Sequence, residues 1–213
     1  MIIGKIDYIN LLPFYVFLKK RLKTSAARAA LGYYKDVPSA INRAFAKGRI
    51  EAAVISSVVS GRYRCSDFGI VADKRVLSVL VCPGEQKDDS ESNTSNVLAK
   101  ILDQRGVVLI GDKALLRSQE AGCKDLASLW YERFGLPFVF ARFCHRKNHA
   151  LYDSLAKEFL RSKPKIPHYI LKRYAARSGL SIKQIKNYLR LIRYDLGIEE
   201  QRSLKKFLQL AKS

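Results

Sequence analysis

Four polar clusters in this chain stand where a small anion could be held: Asn10, Ser56-Ser57, Thr94-Ser95 and Gly111-Asp112. Each follows an apolar run or opens a helical pattern. In open α/β structures, ligands bind outside the carboxyl ends of strands. Helix N-termini at those ends offer unpaired N–H groups and a positive dipole end, which suit carboxylate or phosphate. A single Ser or Thr at a helix start is usually only a cap, and a single Asn usually only a turn residue. Four clusters in equivalent places point instead to one shared anionic ligand. An amide such as Asn10 cannot act as a base, but it can orient a hydroxyl or stabilise developing charge.

Other chemistries find less support. His145, His149 and His168 lie late in the chain and belong to no recognisable triad motif. There is no G-x-G-x-x-G and no G-x-x-x-x-G-K-[ST], so no cofactor is indicated. Cys65, Cys82, Cys123 and Cys144 form no C-x-x-C pair, so a zinc or other metal site is not expected. Their spacing suggests no disulfide framework either, which favours a reducing compartment. Phe134, Phe138, Phe140 and Phe143 read as core packing rather than as a base-stacking platform.

The elements that must position the four clusters alternate in type. Apolar runs predict strands at residues 2–6, 52–55, 76–82, 107–110 and 138–143. Pro13 opens one helix. A second follows Pro38, with Ser39 as its N-cap and Gly48 at its end. The polar stretch at residues 85–96 leads into a helix carrying Val97, Leu98, Ile101 and Leu102 on one face. Beyond residue 143 the pattern is helical throughout, with Gly179 as a stop, a Ser181/Gln184 capping box, and Glu199-Glu200 in a last first turn. This alternation predicts the α/β class. Breaks at Pro83-Gly84 and near Phe140 suggest two crossings between lobes. The first lobe would comprise residues 1–83 and 144–213, and the second residues 84–143.

The 213 residues carry 39 Lys and Arg against 19 Asp and Glu, a net charge of +20. Such a chain attracts anions of any kind. The basic residues are dispersed, which suits a solvated surface better than a nucleic-acid groove. The best argument for nucleic acid is a stripe of Lys183, Lys186, Arg190 and Arg193. The apolar N-terminus is interrupted by Lys5, Asp7, Asn10 and Pro13, so neither a signal peptide nor a membrane span is expected, and the cytoplasm is the expected location.

Several longer segments carry a family likeness: GKIDYINLLPF at residues 4–14, VPSAINRAFAKGRIEAAVISS at 37–57, SVLV at 78–81, DSESNTS at 89–95, LIGDKAL at 109–115 and GLPFVFARF at 135–143. In this order they resemble the chorismate dehydratases of the futalosine route to menaquinone. The resemblance implies a two-lobe fold like the type 2 periplasmic binding proteins, with a central ligand cleft. It implies a carbon–oxygen lyase that converts the dianion chorismate to 3-[(1-carboxyvinyl)oxy]benzoate without a cofactor. It places Asn10 on the active-site asparagine. Tyr8, Ser56, Ser57, Asn93, Thr94, Ser95, Gly111 and Asp112 fall on ligand-contacting segments. Three departures stand out: only Gln104-Arg105-Gly106 separates the helix after Ser95 from the next strand, Asn93 replaces a common Arg, and Arg142 replaces an uncharged residue. Two other readings stay open: a sister enzyme acting on a cyclised futalosine derivative, and a basic nucleic-acid-binding protein.

The matched segments contain no histidine. Their acids are Asp7, Glu51, Asp89, Glu91 and Asp112, of which Asp7 should point away from Asn10 by strand alternation. The expected proton acceptor is therefore the enolpyruvyl carboxylate of the substrate itself.

Overall fold

A computed structural model describes residues 2–212. The chain opens with β1 (Ile3–Gly4), a 3-10 turn (Ile9–Leu11), α1 (Leu12–Arg21), α2 (Ser25–Tyr33) and α3 (Pro38–Ala46). It continues through β2 (Ala52–Ser56), α4 (Ser57–Ser60), β3 (Cys65–Ala72), β4 (Val79–Cys82), α5 (Asn93–Ile101), β5 (Val107–Ile110) and α6 (Gly111–Arg117). The remainder is β6 (Lys124–Asp125), α7 (Leu126–Phe134), β7 (Phe138–His145), α8 (His149–Arg161), α9 (His168–Ser178), α10 (Ile182–Leu189), β8 (Ile192–Asp195) and α11 (Ile198–Leu210).

Two sheets result. The larger has the order β1-β2-β7-β3-β8, and the smaller the order β5-β4-β6. β1 and β2 are parallel, while β7 runs antiparallel between β2 and β3. β2 is buried along its whole length, as a central strand covered on both faces must be. Phe14, Phe68, Phe143 and Phe159 pack together under this sheet with ring centroids 4.7–5.4 Å apart. Phe138 packs against Trp130 and Phe207. Phe138, Phe140 and Phe143 are buried as their alternation predicts, while Phe134 is half-buried against Trp130.

The crossings between the sheets fall elsewhere than expected. β4 lies in the second sheet and all of β7 in the first. The first crossing therefore occupies residues 73–78 rather than Pro83-Gly84, and the return occupies residues 135–137 rather than the end of β7. The apolar run at 76–82 hides the first crossing because its backbone turns inside it. Leu77 has φ +60°, and the backbone N–H groups of Val76 and Leu77 both donate to Asp125 Oδ2, at 2.9 and 2.6 Å. The other oxygen of Asp125 caps α7 through Ala127 and Ser128. One carboxylate thus ties the crossing to the second sheet.

Other expectations are corrected or met locally. Val37, not Ser39, is the N-cap of α3, and Pro38 occupies the first helical position. The capping box of Ser181 and Gln184 forms, and Gly179 ends α9 in the left-handed region at φ +74°. The C-terminal part is not all helical: β8 pairs with β3, a strand the periodicity did not reveal. The expectation of four unpaired cysteines is overturned. Cys65–Cys144 and Cys82–Cys123 are joined as disulfides, across sequence separations of 79 and 41 residues. Cys65 and Cys144 are partners on neighbouring strands, so the sheet pairs what the spacing keeps apart. No described helix is long and apolar enough to cross a membrane.

Candidate active site

A cavity opens where the two sheets face each other. Its walls include Tyr8 and Asn10 before α1, Ser56 at the end of β2, Ser78 at the first crossing, Ser92 and Ser95 at the start of α5, Gly111 at the start of α6, and Phe140 and Ala141 of β7. The strand ends and helix starts converge as the α/β rule requires.

Asn10 sits in the 3-10 turn, and its carbonyl oxygen accepts a hydrogen bond from the Tyr194 hydroxyl at 2.7 Å. Its Oδ1 is buried and has no partner. A buried acceptor without a donor is costly in a folded protein and marks a place where a ligand can bond.

The serines present hydroxyls. Ser56 Oγ accepts from Asn42 Nδ2 at 2.8 Å, and Asn42 Oδ1 accepts from the Ser56 backbone N–H at 3.1 Å. That fork leaves the Ser56 hydroxyl proton available. Ser92 is the N-cap of α5: its Oγ accepts from the Ser95 N–H at 3.2 Å and lies 2.8 Å from Ser95 Oγ. Only one of those two hydroxyls can donate to the other, so one proton remains for a ligand. Tyr8 donates to the Glu91 carboxylate, which also meets Lys113 Nζ at 3.3 Å. Burial, reinforced by Glu91, pushes the Tyr8 pKa upward, so Tyr8 stays protonated. Gly111 adopts φ +63°, and its N–H donates to the Ser78 carbonyl at 2.8 Å. A Cβ at Gly111 would stand 3.1 Å from the Tyr8 ring.

Four of the sequence-derived residues do not line the cavity. Ser57 is buried and donates to the Val139 carbonyl at 2.6 Å. Thr94 Oγ1 accepts from the Val58 N–H at 3.3 Å, joining α5 to α4. Asn93 is exposed. Asp112 turns Oδ2 to Arg177 Nη2 at 3.1 Å, while its Oδ1 is buried without a partner. Burial raises the Asp112 pKa, and Arg177 opposes the rise. Conversely, Ser78 and Ser92 line the cavity without standing out in the sequence. Ser92 was open to discovery, since it stands three residues before Ser95 as a cap.

The cavity is electrically unlike the rest of the molecule. Among the described residues lining it there is no Asp, Glu, His, Lys or Arg. The polar groups along it are hydroxyls, the Asn10 amide and helix starts. Among the described residues no group of His, Cys, Asp and Glu gathers to hold a metal ion.

Asp7 lies apart from this cavity as expected, though β1 ends at Gly4 and strand alternation does not reach it, in a basic pocket with Lys5, Lys19, Lys35, Arg173, Tyr174 and Arg177. Burial alone would raise its pKa. Lys35 at 2.7 Å, the Tyr174 hydroxyl, Lys5 and Arg177 outweigh burial and hold it at about 2. A depressed carboxylate stabilises the fold above its unfolded pKa of about 3.9, and that contribution fades as the pH falls toward 2. The shift corresponds to roughly 2 kcal/mol. Asp7→Asn should therefore lose about that much at pH 7, and the deficit should shrink toward zero near pH 2. Urea unfolding of both proteins at several pH values measures it; an equal deficit at every pH would show packing, not charge, to be responsible.

With this geometry in hand, the likeness to known proteins is informative. A family model described as menaquinone biosynthesis matches residues 1–107 and 99–213. The chain is 46% identical to a chorismate dehydratase of Campylobacter jejuni, over 100% of this chain and 98% of that one. The chain belongs to the chorismate dehydratase family of menaquinone biosynthesis. Solved structures agree on the fold of this family member. A crystal structure of an Archaeoglobus fulgidus protein superposes with a TM-score of 0.69 at 18% identity, covering 99% of this chain and 96% of that one. A Candida albicans protein described as having the generic periplasmic binding protein fold matches with a TM-score of 0.50 at 9% identity, over 99% and 89% of the chains. The two-lobe periplasmic-binding-protein-like architecture with a central cleft is thus the fold of this dehydratase-family chain.

Proposed function

We propose that this protein removes water from chorismate to give 3-[(1-carboxyvinyl)oxy]benzoate, as a cofactor-independent carbon–oxygen lyase. The observation that carries the reading is the full-length 46% identity to the Campylobacter jejuni chorismate dehydratase. The cavity supports it chemically. Chorismate is a dianion whose ring becomes aromatic on losing the C4 hydroxyl and the C3 proton. That gain drives the reaction, so the protein mainly has to hold and orient the substrate.

Its carboxylates would be met by the Ser56, Ser92 and Ser95 hydroxyls and by the N-terminus of α5, where unpaired N–H groups favour negative charge. With no base among the described lining residues, the enolpyruvyl carboxylate takes the C3 proton. The C4–O bond breaks, and the departing hydroxide takes that proton from the enolpyruvyl carboxyl group and leaves as water, restoring the carboxylate. Asn10, with its unpartnered Oδ1, holds the C4 hydroxyl while this happens. Ser57, Asn93, Thr94 and Asp112 then serve the walls rather than the ligand.

The cytoplasm remains the proposed location. No specific nucleic-acid partner is proposed: Arg193 belongs to β8, not to the helical stripe, and pairs with Asp73, Asp195 and Glu200 at 2.7, 2.9 and 3.2 Å.

Incubation of the purified protein with chorismate should yield a product lighter by one water, seen by mass spectrometry. A parallel incubation with a cyclised futalosine derivative should yield nothing. The reverse pattern would transfer the protein to the sister reaction, and no turnover of either would sink the reading.

A further inference from the structure

We infer that the basic pocket around Asp7 is a second ligand site, which takes a small polyphosphate anion, either free or as the tail of a nucleotide. The pocket shares no lining residue with the cleft: Ile6 and Tyr8 line the cleft, while Lys5 and Asp7 line the pocket. Five cations converge there from four parts of the chain. Lys5 follows β1, Lys19 lies in the last turn of α1, Lys35 follows α2, and Arg173 and Arg177 stand one turn apart on α9. The cavity they surround measures about 230 Å³, several times the roughly 30 Å³ of one water.

The positive charge in this pocket is under-neutralised. Asp7 is the one carboxylate among the described lining residues. Its Oδ2 meets Lys35 Nζ and Arg177 Nη1, each at 2.7 Å, and its Oδ1 meets Lys5 Nζ at 3.7 Å. Among the described residues, neither Lys19 nor Arg173 has a carboxylate within 4.0 Å. Burial lowers the Lys5 pKa, Asp7 opposes the fall, and Lys35, Lys19 and Arg173 deepen it, as like charges held close together do. A bound anion relieves that repulsion. The frame is also held in place: the Arg177 guanidinium stacks 4.3 Å from the centre of the Tyr174 ring, whose hydroxyl donates to Asp7. A carboxylate needs one guanidinium fork, whereas a polyphosphate spreads several charges over many oxygens. Cations arriving from several directions match the second.

The test is calorimetric titration of the full chain with inorganic pyrophosphate and with ATP, at one fixed ionic strength so that screening is constant. Lys19→Ala/Arg173→Ala removes two exposed cations and spares Arg177, which also pairs with Asp112. This variant should bind the tighter probe at least about tenfold more weakly. Lys183→Ala/Lys186→Ala removes the same charge from α10 and should weaken binding less than about twofold, as should Ser56→Ala in the cleft. Thermal melts give a second reading: the tighter probe should raise the Tm of the unmodified protein and of both controls, and leave the pocket variant nearly unmoved. Tighter binding of pyrophosphate supports a free polyphosphate, and tighter binding of ATP supports a nucleotide tail. Equal affinity in the unmodified protein and the pocket variant would overturn the inference. An equal loss in the α10 control would do so as well, by showing attraction through net charge alone. Loss in Ser56→Ala would place the anion in the cleft, with the same result. None of these measurements uses chorismate, so their outcome is independent of the dehydratase reading.

Discussion

Asn10→Ala should lose about 10²–10³-fold in kcat while chorismate binding weakens by less than about tenfold. The described lining residues offer no ionisable group except Tyr8, which burial and Glu91 keep protonated. What the cavity does offer is a single amide with an unpartnered buried oxygen. Positioning is thus the main lever available, and positioning alone can supply on the order of 7–11 kcal/mol at its upper limit. Asn10→Asp keeps the shape and should also fail, because a carboxylate there repels the dianion. Asp112→Asn should retain substantial activity, since Asp112 faces Arg177 rather than the cavity. Steady-state kinetics with calorimetric binding separate these outcomes. A folded Asp112→Asn protein that binds chorismate normally and cannot turn it over would assign the proton to an enzymic base.

Gly111→Val should be the most damaging single change at the cleft wall that leaves every polar group in place. Gly111 stands at φ +63°, a region that costs an L-residue roughly 1–2 kcal/mol and that β-branched residues almost never enter. The new Cβ would also press on the Tyr8 ring, whose atoms lie 3.1–3.3 Å away. Tyr8, tied to Glu91 and forming part of the cavity wall, must give by a few tenths of an ångström. Strain and displacement together amount to roughly 1–3 kcal/mol, or about 3–10 °C in Tm for a chain of this size. Chorismate affinity should fall at least about tenfold, because the displaced ring is part of the cavity wall. Gly111→Ala should be intermediate on both measures. Thermal melts and calorimetric titration of the three proteins check the order; normal binding in Gly111→Val would show that the Tyr8 wall does not shape the ligand site.

What the sequence made legible follows from how local each signal is. The capping box at Ser181, the left-handed stop at Gly179 and the acidic first turn of α11 depend on residues a few positions apart, and all three stand as read. The residues of the 3-10 turn and of the starts of α5 and α6 reach one cavity because strand ends and helix starts share an edge of any α/β sheet. The failures are equally physical. β8 is an edge strand of four residues that exists because β3 is there to pair with it, and neither carries a clean alternation. The crossing inside residues 73–78 was hidden because Leu77 takes a left-handed conformation without being glycine, stabilised by Asp125 from far along the chain. Ser57 and Thr94 were sound polar choices, but each spends its side chain on a neighbouring backbone group. Tyr194 and Asn42 act on Asn10 and Ser56 purely through the tertiary fold, so no motif could have announced them.

The separation of charge between surface and cavity divides the labour of catalysis between two length scales. A net charge of +20 draws a dianion toward the molecule before any contact is made. In dilute salt that pull reaches tens of ångströms, and at 0.1 M salt it is cut to about 10 Å. Inside, where hydroxyls and peptide dipoles replace formal charges, dissolved ions have little to screen. Added salt should then slow capture and lower kcat/KM while leaving kcat nearly constant. The surface sets how often chorismate arrives, and the neutral interior sets what happens after it has.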